Sequence, residues 1–500
     1  MPSQLSYPGV YIEEIPSGVR AITGVATSIA AFIGWTAQGP TDEARRVLGW
    51  QDFARTYGDL DPKSHLSYAV SHYFANGGEQ AYVVRLPFDG DVAAAMTLGG
   101  LTLTASGPGR WAEQYGVVAT PRPGTTDRFG LTVFRGVDPA DRVVVEVFQN
   151  LSLDPADERY VKSVIDEESR LLNATGVVAG GGTPDNAPDG ELLAGGGDGA
   201  APDVNDVAFW AQVLPDLPND GSPGGGVYLL DRIDLFNLLS VPGLTDRGRL
   251  QELAAHCKRR RAFLVADAPQ TPNFSTVAPL TGLVGTNAAV YFPWVRMSDP
   301  KQQGRIRSFP PSGAVAGIFA RTDATRGVWK APAGTEATIT GARALDTTLT
   351  DLESGILNQK GVNALRSFEV FGPVVWGART CQGDDQIGSE WKYVPVRRTA
   401  LFLEETLFRS LKWVVFEPND EPLWSQIRLN VGAFMHEQFR KGAFQGRSPR
   451  EAYFVRCDKE TTTQNDINLG VVNILVGFAP LKPAEFVVVK LQQMAGQVQV

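Results

Sequence analysis

Gly107-Pro108-Gly109-Arg110-Trp111-Ala112 fits G-x-G-x-x-A, the spacing at which a glycine turn brings a helix N-terminus to a pyrophosphate. Gly116 and a β-rich continuation stand where that helix should run, so a turn is the better reading. Ser389-Glu390-Trp391-Lys392 fits S-x-x-K, which sets a serine one helical turn from a lysine. The chain supplies neither the K-T-G nor the Ser-Asp-Asn partner of such a site. His436-Glu437-Gln438-Phe439-Arg440 starts like a zinc-protease helix but places arginine where the second ligand must stand. The remaining histidines, His65, His72 and His256, are scattered, and only the first two are close enough to share a metal. Asp185, Asp189, Asp198, Asp203 and Asp206 are oxygen-rich enough to invite calcium. Their spacing breaks the EF-hand order, and a solvated loop is favoured. Arg321, Asp323, Arg326, Lys330 and Arg379, with Trp376 among them, could mimic a catalytic pocket, yet no nucleophile has a convincing base. No catalytic, metal or cofactor residue is assigned, and an enzyme is not expected.

Composition points the same way. The chain has 500 residues, 43% hydrophobic and 20% charged, long enough for two to four domains with substantial cores. A formal net charge of −9 disfavours broad phosphate binding, so no nucleic-acid partner is expected. Lys258-Arg259-Arg260-Arg261 is the densest basic run, but it falls in the last turn of a predicted helix, where cations complement the dipole. Ile22 to Trp35 is apolar but broken by Thr23, Gly24, Thr27, Ser28 and Gly34, so neither a leader nor a membrane span is expected. Cys257, Cys381 and Cys457 are far apart and read as reduced, mostly buried thiols.

The elements that would position these residues alternate in type, which predicts a multi-domain mixed α/β (α+β) fold. Ile22 to Trp35 reads as a buried strand, Ser67 to Phe74 as a helix, and Ala81 to Leu86 as a strand. From about Gly90 the texture changes to short strands, Leu101 to Thr104, Gly130 to Arg135 and Val143 to Gln149, separated by turns. Gly180 to Asp203 is too rich in glycine, proline and aspartate to bury much side chain, and is expected to be a flexible loop. Val227 to Leu230 reads as a strand, Ile233 to Leu239 as a short helix, and Thr245 to Arg260 as a helix with Leu250, Leu253, Ala254 and Cys257 on one face. Phe263 to Ala266 and Ala288 to Phe292 follow as buried strands. Thr399 to Phe416 and Pro422 to Lys441 are long helical patterns, and Tyr453 to Cys457 and Val471 to Phe478 are strands. The expected organisation is an arm over 1–20, core over 21–90, an inserted β-rich domain over 91–180 and the loop over 181–205. A middle core over 206–365, a C-terminal domain over 366–480 and a linker strand over 481–500 complete it.

Both ends look like strands without a sheet. Val10, Tyr11, Ile12, Glu13 and Ile15 lie between Pro8-Gly9 and Pro16-Ser17-Gly18, and Phe486, Val487, Val488 and Val489 follow Pro480-Leu481-Lys482-Pro483. A tethered strand needs a partner edge, and reaching into a neighbouring copy links monomers into a polymer.

YPGVYIEEIPSG near the start, PPSGAVAGIFARTDATRGVWKAPAG at Pro310 to Gly334, VNALRSF with VVWGART at Val362 to Thr380, and DINLGVVNILVGFAPLKPAEFVVVKL at Asp466 to Leu491 carry a resemblance. Together they resemble the sheath subunit of contractile tails, as in myophage tails, R-type bacteriocins and extracellular contractile injection systems. The match runs in family order along almost the whole chain and is looser over Gly90 to Asp203. It implies a protomer that forms hexameric rings stacked helically around an inner tube, with the insertion outwards, and contracts to drive the tube through a cell envelope. Its implied partners are copies of itself, the tube protein, and baseplate and terminator or cap proteins, without cofactor, nucleic acid or membrane insertion. The implied setting is a particle assembled after synthesis in the bacterial cytoplasm. On this reading the terminal strands complete sheets in adjacent subunits, with hinges at Pro16, Gly18, Lys482 and Pro483. Arg428, Arg440 and Lys441 become candidates for facing the tube, and Arg321, Asp323, Arg326 and Arg379 for structural ion pairs. Two alternatives stay open: an α/β hydrolase-like or carbohydrate-active enzyme with a β-rich accessory domain, and a minor sheath paralogue at the baseplate or cap end.

Overall fold

The computed structural model describes residues 21–125, 127–178, 184, 189–199, 202–217, 224–277 and 285–490. The N-terminal strand candidates Val10 to Ile15 and the hinges Pro16 and Gly18 lie outside these residues. The chain divides into two compact units. The larger comprises Thr27–Thr325 and Pro332–Val394; the smaller takes the described residues up to Ala26, Arg326–Ala331 and those from Pro395 onwards.

In the larger unit, one sheet of eight strands runs Arg45–Val47, Ala81–Arg85, Ala30–Gly34, Leu238–Ser240, Phe263–Asp267, Ala288–Phe292, Val362–Phe368 and Gly372–Val375. The six inner strands are parallel, and the outermost strand at each edge is antiparallel to its neighbour. Ala30–Gly34, Phe263–Asp267 and Ala288–Phe292 are buried at every position, as a sheet covered on both faces requires. Helix Arg247–Arg259 starts at Asp246, whose carboxylate accepts from the Arg249 amide at 3.0 Å, and it buries Leu250, Leu253, Ala254 and Cys257 as the spacing predicts. Gly372–Val375 still belongs to this sheet, so the smaller unit's C-terminal stretch starts at Pro395 rather than near residue 366.

Two local expectations change places. Val227 to Leu230, expected as a strand, lies in the 3-10 helix Gly226–Arg232, and the strand Leu238–Ser240 stands where a short helix was expected. Both are short apolar runs, for which burial satisfies either geometry and periodicity does not decide. Pairing decides for Leu238–Ser240, which is inserted between Ala30–Gly34 and Phe263–Asp267.

Residues beyond Gly90 build smaller antiparallel sheets with a hydrophobic cluster of their own, reaching from Ala94 to Leu193. Leu101–Ala105, Phe129–Arg135 and Val143–Leu151 are the expected strands, within a residue or two. The described part of the glycine-rich stretch is paired where its composition implies a loop. Glu191–Leu192 pairs with Gly116 and Val117, and Gly197–Asp198 pairs with Asp91 and Val92. These are backbone ladders in which glycine's missing side chain is an advantage: a Cβ on Gly197 would come within 2.6 Å of the Gly90 carbonyl oxygen.

The smaller unit is built on helices Val394–Ser410 and Glu421–Arg440, with Ile427, Val431, Phe434 and Met435 in its core. The first starts earlier than expected because Pro395 suits a first turn, and it gives way at Leu411 to the 3-10 turn Lys412–Val414. A hairpin of Tyr453–Arg456 with Leu475–Phe478 completes the unit.

Candidate functional site

The C-terminal segment emerges directly from that hairpin. The amides of Ala479 and Gln445 donate to the Ala452 and Ala479 carbonyls at 2.8 and 2.9 Å, and Pro480 bridges to Phe444, so pairing continues as far as Pro480. Beyond Pro480 no strand is assigned up to Lys490, and Phe486, Val487, Val488 and Val489 are 77%, 84%, 79% and 74% exposed. Four consecutive large apolar side chains in water are a poor end state for a folded monomer. Lys482 and Pro483 lie in the same stretch, to which no strand is assigned.

The hairpin itself is a two-stranded sheet, so among the described residues each strand has one free edge. Isolated two-stranded sheets are marginal, and open edges invite addition. Phe454 covers Gly477 across the strands, where a Cβ would meet the ring at 2.2 Å, which pins the register. At the other end of the chain, the Val25 amide donates to Thr406 Oγ1 at 3.3 Å and Gly24 packs on Phe402. The described chain therefore begins on helix Val394–Ser410. The hairpin strands were legible as strands, but nothing in their residue types marks the open edges that their topology leaves.

The three tube-contact candidates differ. Arg428 is committed inside its unit, donating to the Cys457 carbonyl, to Glu421 at 2.5 Å and to Ser425 at 2.9 Å. Lys441 pairs with Glu437 at 2.7 Å, while Arg440 has no ion-pair partner among the described residues. Ala433, His436, Glu437, Arg440 and Lys441 line one shallow face of helix Glu421–Arg440.

The charged candidates also separate. Arg379 is 1% exposed and donates to the carbonyls of Asn358 and Gly383 at 2.8 and 3.1 Å and to Asp385 at 2.9 Å. Lys392, with Arg379, holds the Asp385 carboxyl below the usual carboxylate range. Arg321 donates to the carbonyls of Thr338 at 2.8 Å and Glu336 at 3.3 Å, and Asp323 accepts from Thr27 Oγ1 at 2.6 Å. Arg326 is the last residue of helix Ser312–Arg326. Replacing Arg379 with Met is expected to cost about 3 kcal/mol, because it strips a buried donor from three acceptors. Asp385→Asn, at a half-exposed partner, should cost about 1 kcal/mol. Urea unfolding of both variants checks the order; equal costs would mean that the carbonyl bonds contribute nothing.

The remaining motifs resolve into packing. Gly107 and Gly109 let their turn lie against the backbone of Ala37 and Gly39, where Cβ atoms would approach carbonyl oxygens to 2.5 and 2.2 Å, and Arg110–Gln114 is a 3-10 turn. In the S-x-x-K segment, Ser389 accepts from the Trp391 amide and Lys392 pairs with Asp385 at 2.6 Å. His65 and His72 stand seven residues apart on one helix against Trp294 and Phe309, and burial lowers both to about 4. Among the described residues no group of three or more His, Cys, Asp or Glu could hold a metal, and no helix is long and apolar enough to cross a membrane. All three cysteines are buried, which pushes their thiols up.

A parallel-sheet core and an insertion with its own core define the fold class: a multi-domain mixed α/β protein. Residues 234–381 match the phage tail sheath protein central domain, and residues 387–493 the phage tail sheath C-terminal domain. A protein described as a prophage major tail sheath protein of Pseudomonas aeruginosa strain UCBPP-PA14 is 25% identical over 285 residues, covering 55% of this chain and 70% of that one. The anti-feeding prophage helical sheath in its contracted state is 25% identical, with a TM-score of 0.59 over 98% of this chain and 99% of the other. The sheath of the extracellular contractile injection system PVC, also contracted, shows the same fold at 22% identity and a TM-score of 0.59, over 98% of each chain. The chain belongs to the contractile tail sheath family, and its function is that of a contractile sheath in a phage tail or tail-like particle.

Proposed function

We propose that this chain polymerises into stacked hexameric rings around an inner tube, each protomer joined to its neighbours by exchanged terminal strands. Phe486 to Val489 of one copy adds to a free edge of a neighbour's Tyr453–Arg456 and Leu475–Phe478 hairpin, with Val10 to Ile15 as the second link. The observation that carries this reading is the coexistence, in one unit, of an exposed apolar strand sequence and a two-stranded sheet with open edges. Donor and acceptor surfaces differ, so the contact is heterologous and propagates into rings and helices instead of closing as a dimer.

Contraction is then a rigid-body repacking in which the links persist and Pro16, Gly18, Lys482 and Pro483 absorb the motion. No catalytic step is required. Synthesis in the bacterial cytoplasm precedes assembly on a baseplate, and a terminator or cap protein closes the far end. Anti-feeding prophage relatives solved as a baseplate and as a helical sheath support the baseplate association and self-assembly. Arg321, Asp323, Arg326 and Arg379 hold the protomer rigid enough to transmit the stroke.

The test is electron microscopy of the full chain, expressed alone and with the tube protein. Uniform tubes support the reading; monomers in both cases sink it. The charged helix face supplies a second test. Arg440→Glu with Lys441→Glu is expected to keep the fold and weaken tube co-sedimentation about tenfold at low salt, with the difference shrinking as salt rises. Arg428→Glu should instead lower the unfolding temperature, since its bonds lie within the unit. Unchanged co-sedimentation of the double variant would remove this face from the tube contact.

A further inference from the structure

Val414 to Glu417 form a turn that is unfavourable for the residues it contains. The Glu417 amide donates to the Val414 carbonyl at 3.2 Å, Val415 sits at φ −67° and ψ 130°, and Phe416 follows at φ 70°. These are the angles of a type II turn, whose third position takes positive φ and is the natural place for glycine or asparagine. Phenylalanine there is strained, because its Cβ crowds the backbone carbonyl. Inside its own unit the ring gains nothing in exchange: Phe416 is 102% exposed, and Val415 beside it 61%.

The turn is nevertheless held in place. Asn419 Nδ2 donates to the Val471 carbonyl at 2.9 Å, and its Oδ1 accepts from the buried Trp424 indole, also at 2.9 Å. Strain that the surroundings over-determine is characteristic of sites with a job outside the fold. The Asn419–Val471 bond also ties the turn to the segment entering Leu475–Phe478, one of the two acceptor strands. Leu469, Val471 and Leu475 along that segment are exposed apolar residues as well.

We propose that Phe416 is the aromatic anchor by which the smaller unit grips a second copy of the chain, next to the exchanged strand. This rests on the strand-linked reading above. A second copy is the occupant because the Asn419–Val471 bond ties the turn to the segment entering Leu475–Phe478, beside which the neighbour's Phe486 to Val489 is proposed to lie, and an apolar knob needs an apolar socket. The tube is assigned to the charged face at Glu437, Arg440 and Lys441, whose chemistry is opposite. A rigidly presented aromatic that becomes desolvated on docking is the usual form of an interface hot spot.

Phe416→Gly in the full chain separates this role from a structural one, because the two readouts move in opposite directions. Glycine relieves the turn, so the unfolding temperature of the unassembled protein is expected to stay level or rise. The concentration needed for tube formation should rise at least about tenfold, and Phe416→Trp should restore it. A photo-crosslinking phenylalanine analogue at position 416 should yield sheath-to-sheath dimers in tubes. Phe416→Gly tubes at the wild-type concentration, or crosslinks to the tube protein alone, overturn the assignment while leaving strand exchange standing. Wild-type protein that forms no tubes, alone or with the tube protein, overturns strand exchange and this anchor with it.

Discussion

Truncation after Leu481 is expected to abolish tube formation while leaving a monomer within about 1 kcal/mol of the full chain's stability. The cut falls beyond the last hairpin bonds, at Ala479 and Gln445, and beyond Phe478, which packs on Phe444. Most of the described residues it removes are in water, including the four apolar residues Phe486 to Val489. Their burial in a neighbour is worth about 1.5 to 3 kcal/mol each, against about 1 to 2 kcal/mol per residue to order the backbone. The apolar surplus is therefore small. Ladder hydrogen bonds, at about 0.5 to 1.5 kcal/mol net each, tip the balance and also set direction and register. Val487→Pro or Val488→Pro should accordingly be almost as damaging as truncation, because one of the two removes an amide that faces the acceptor edge. Wild-type-like tubes from the truncated chain would falsify the strand link directly.

Much of this was readable from residue types. Phe263 to Ala266 and Ala288 to Phe292 are unbroken apolar runs of strand length, and helix Arg247–Arg259 has one clean stripe and a capping aspartate; both patterns have few competing solutions. The apolar run Phe486 to Val489 behind two prolines, which the proposed link takes as its donor, was equally plain. The open edges proposed to receive it were not. Tyr453–Arg456 and Leu475–Phe478 resemble any short hairpin, and an edge is a property of what fails to pair with it, which no local pattern records. The same limit explains Gly197–Asp198, which is placed by backbone pairing with Asp91 and Val92 and by the Asp198 carboxylate accepting from the distant Arg110 amide at 2.8 Å. It explains Phe416 too: its exposure and positive φ depend on a turn fixed by Asn419, three residues further on, and by Val471, far along the chain. Among the charges, sequence grouped Arg379 with Arg321, but Arg379 donates to the carbonyls of Asn358 and Gly383 and Arg321 to those of Glu336 and Thr338, because a guanidinium is placed by the carbonyls that converge on it.

Asp267→Ala should be the most destabilising single substitution in the parallel-sheet core, at about 3 kcal/mol or more, read as a lower urea midpoint with unchanged slope. Asp267 ends the strand Phe263–Asp267 and is fully buried. It accepts from the Ser312 amide at 2.8 Å, from Ser312 Oγ at 2.7 Å and from the Gly243 amide at 2.9 Å. One carboxyl thereby holds the first residue of helix Ser312–Arg326 and the loop after Leu238–Ser240, and its loss orphans three donors that no water reaches. Burial pushes the carboxyl up to about 6 even though those donors favour its charged form. Between the ordinary carboxylate value and about 6, the folded state holds a proton that the unfolded chain has released. Asp267 therefore contributes more stability at low pH, and that share declines as pH rises towards about 6. Asp267→Asn cannot titrate, and its amide sets a donor against donors. The wild-type advantage over Asp267→Asn should thus be larger at pH 4 than at pH 7. An advantage that grows with pH would mean that the three donors outweigh burial and that Asp267 stays ionised in the folded protein.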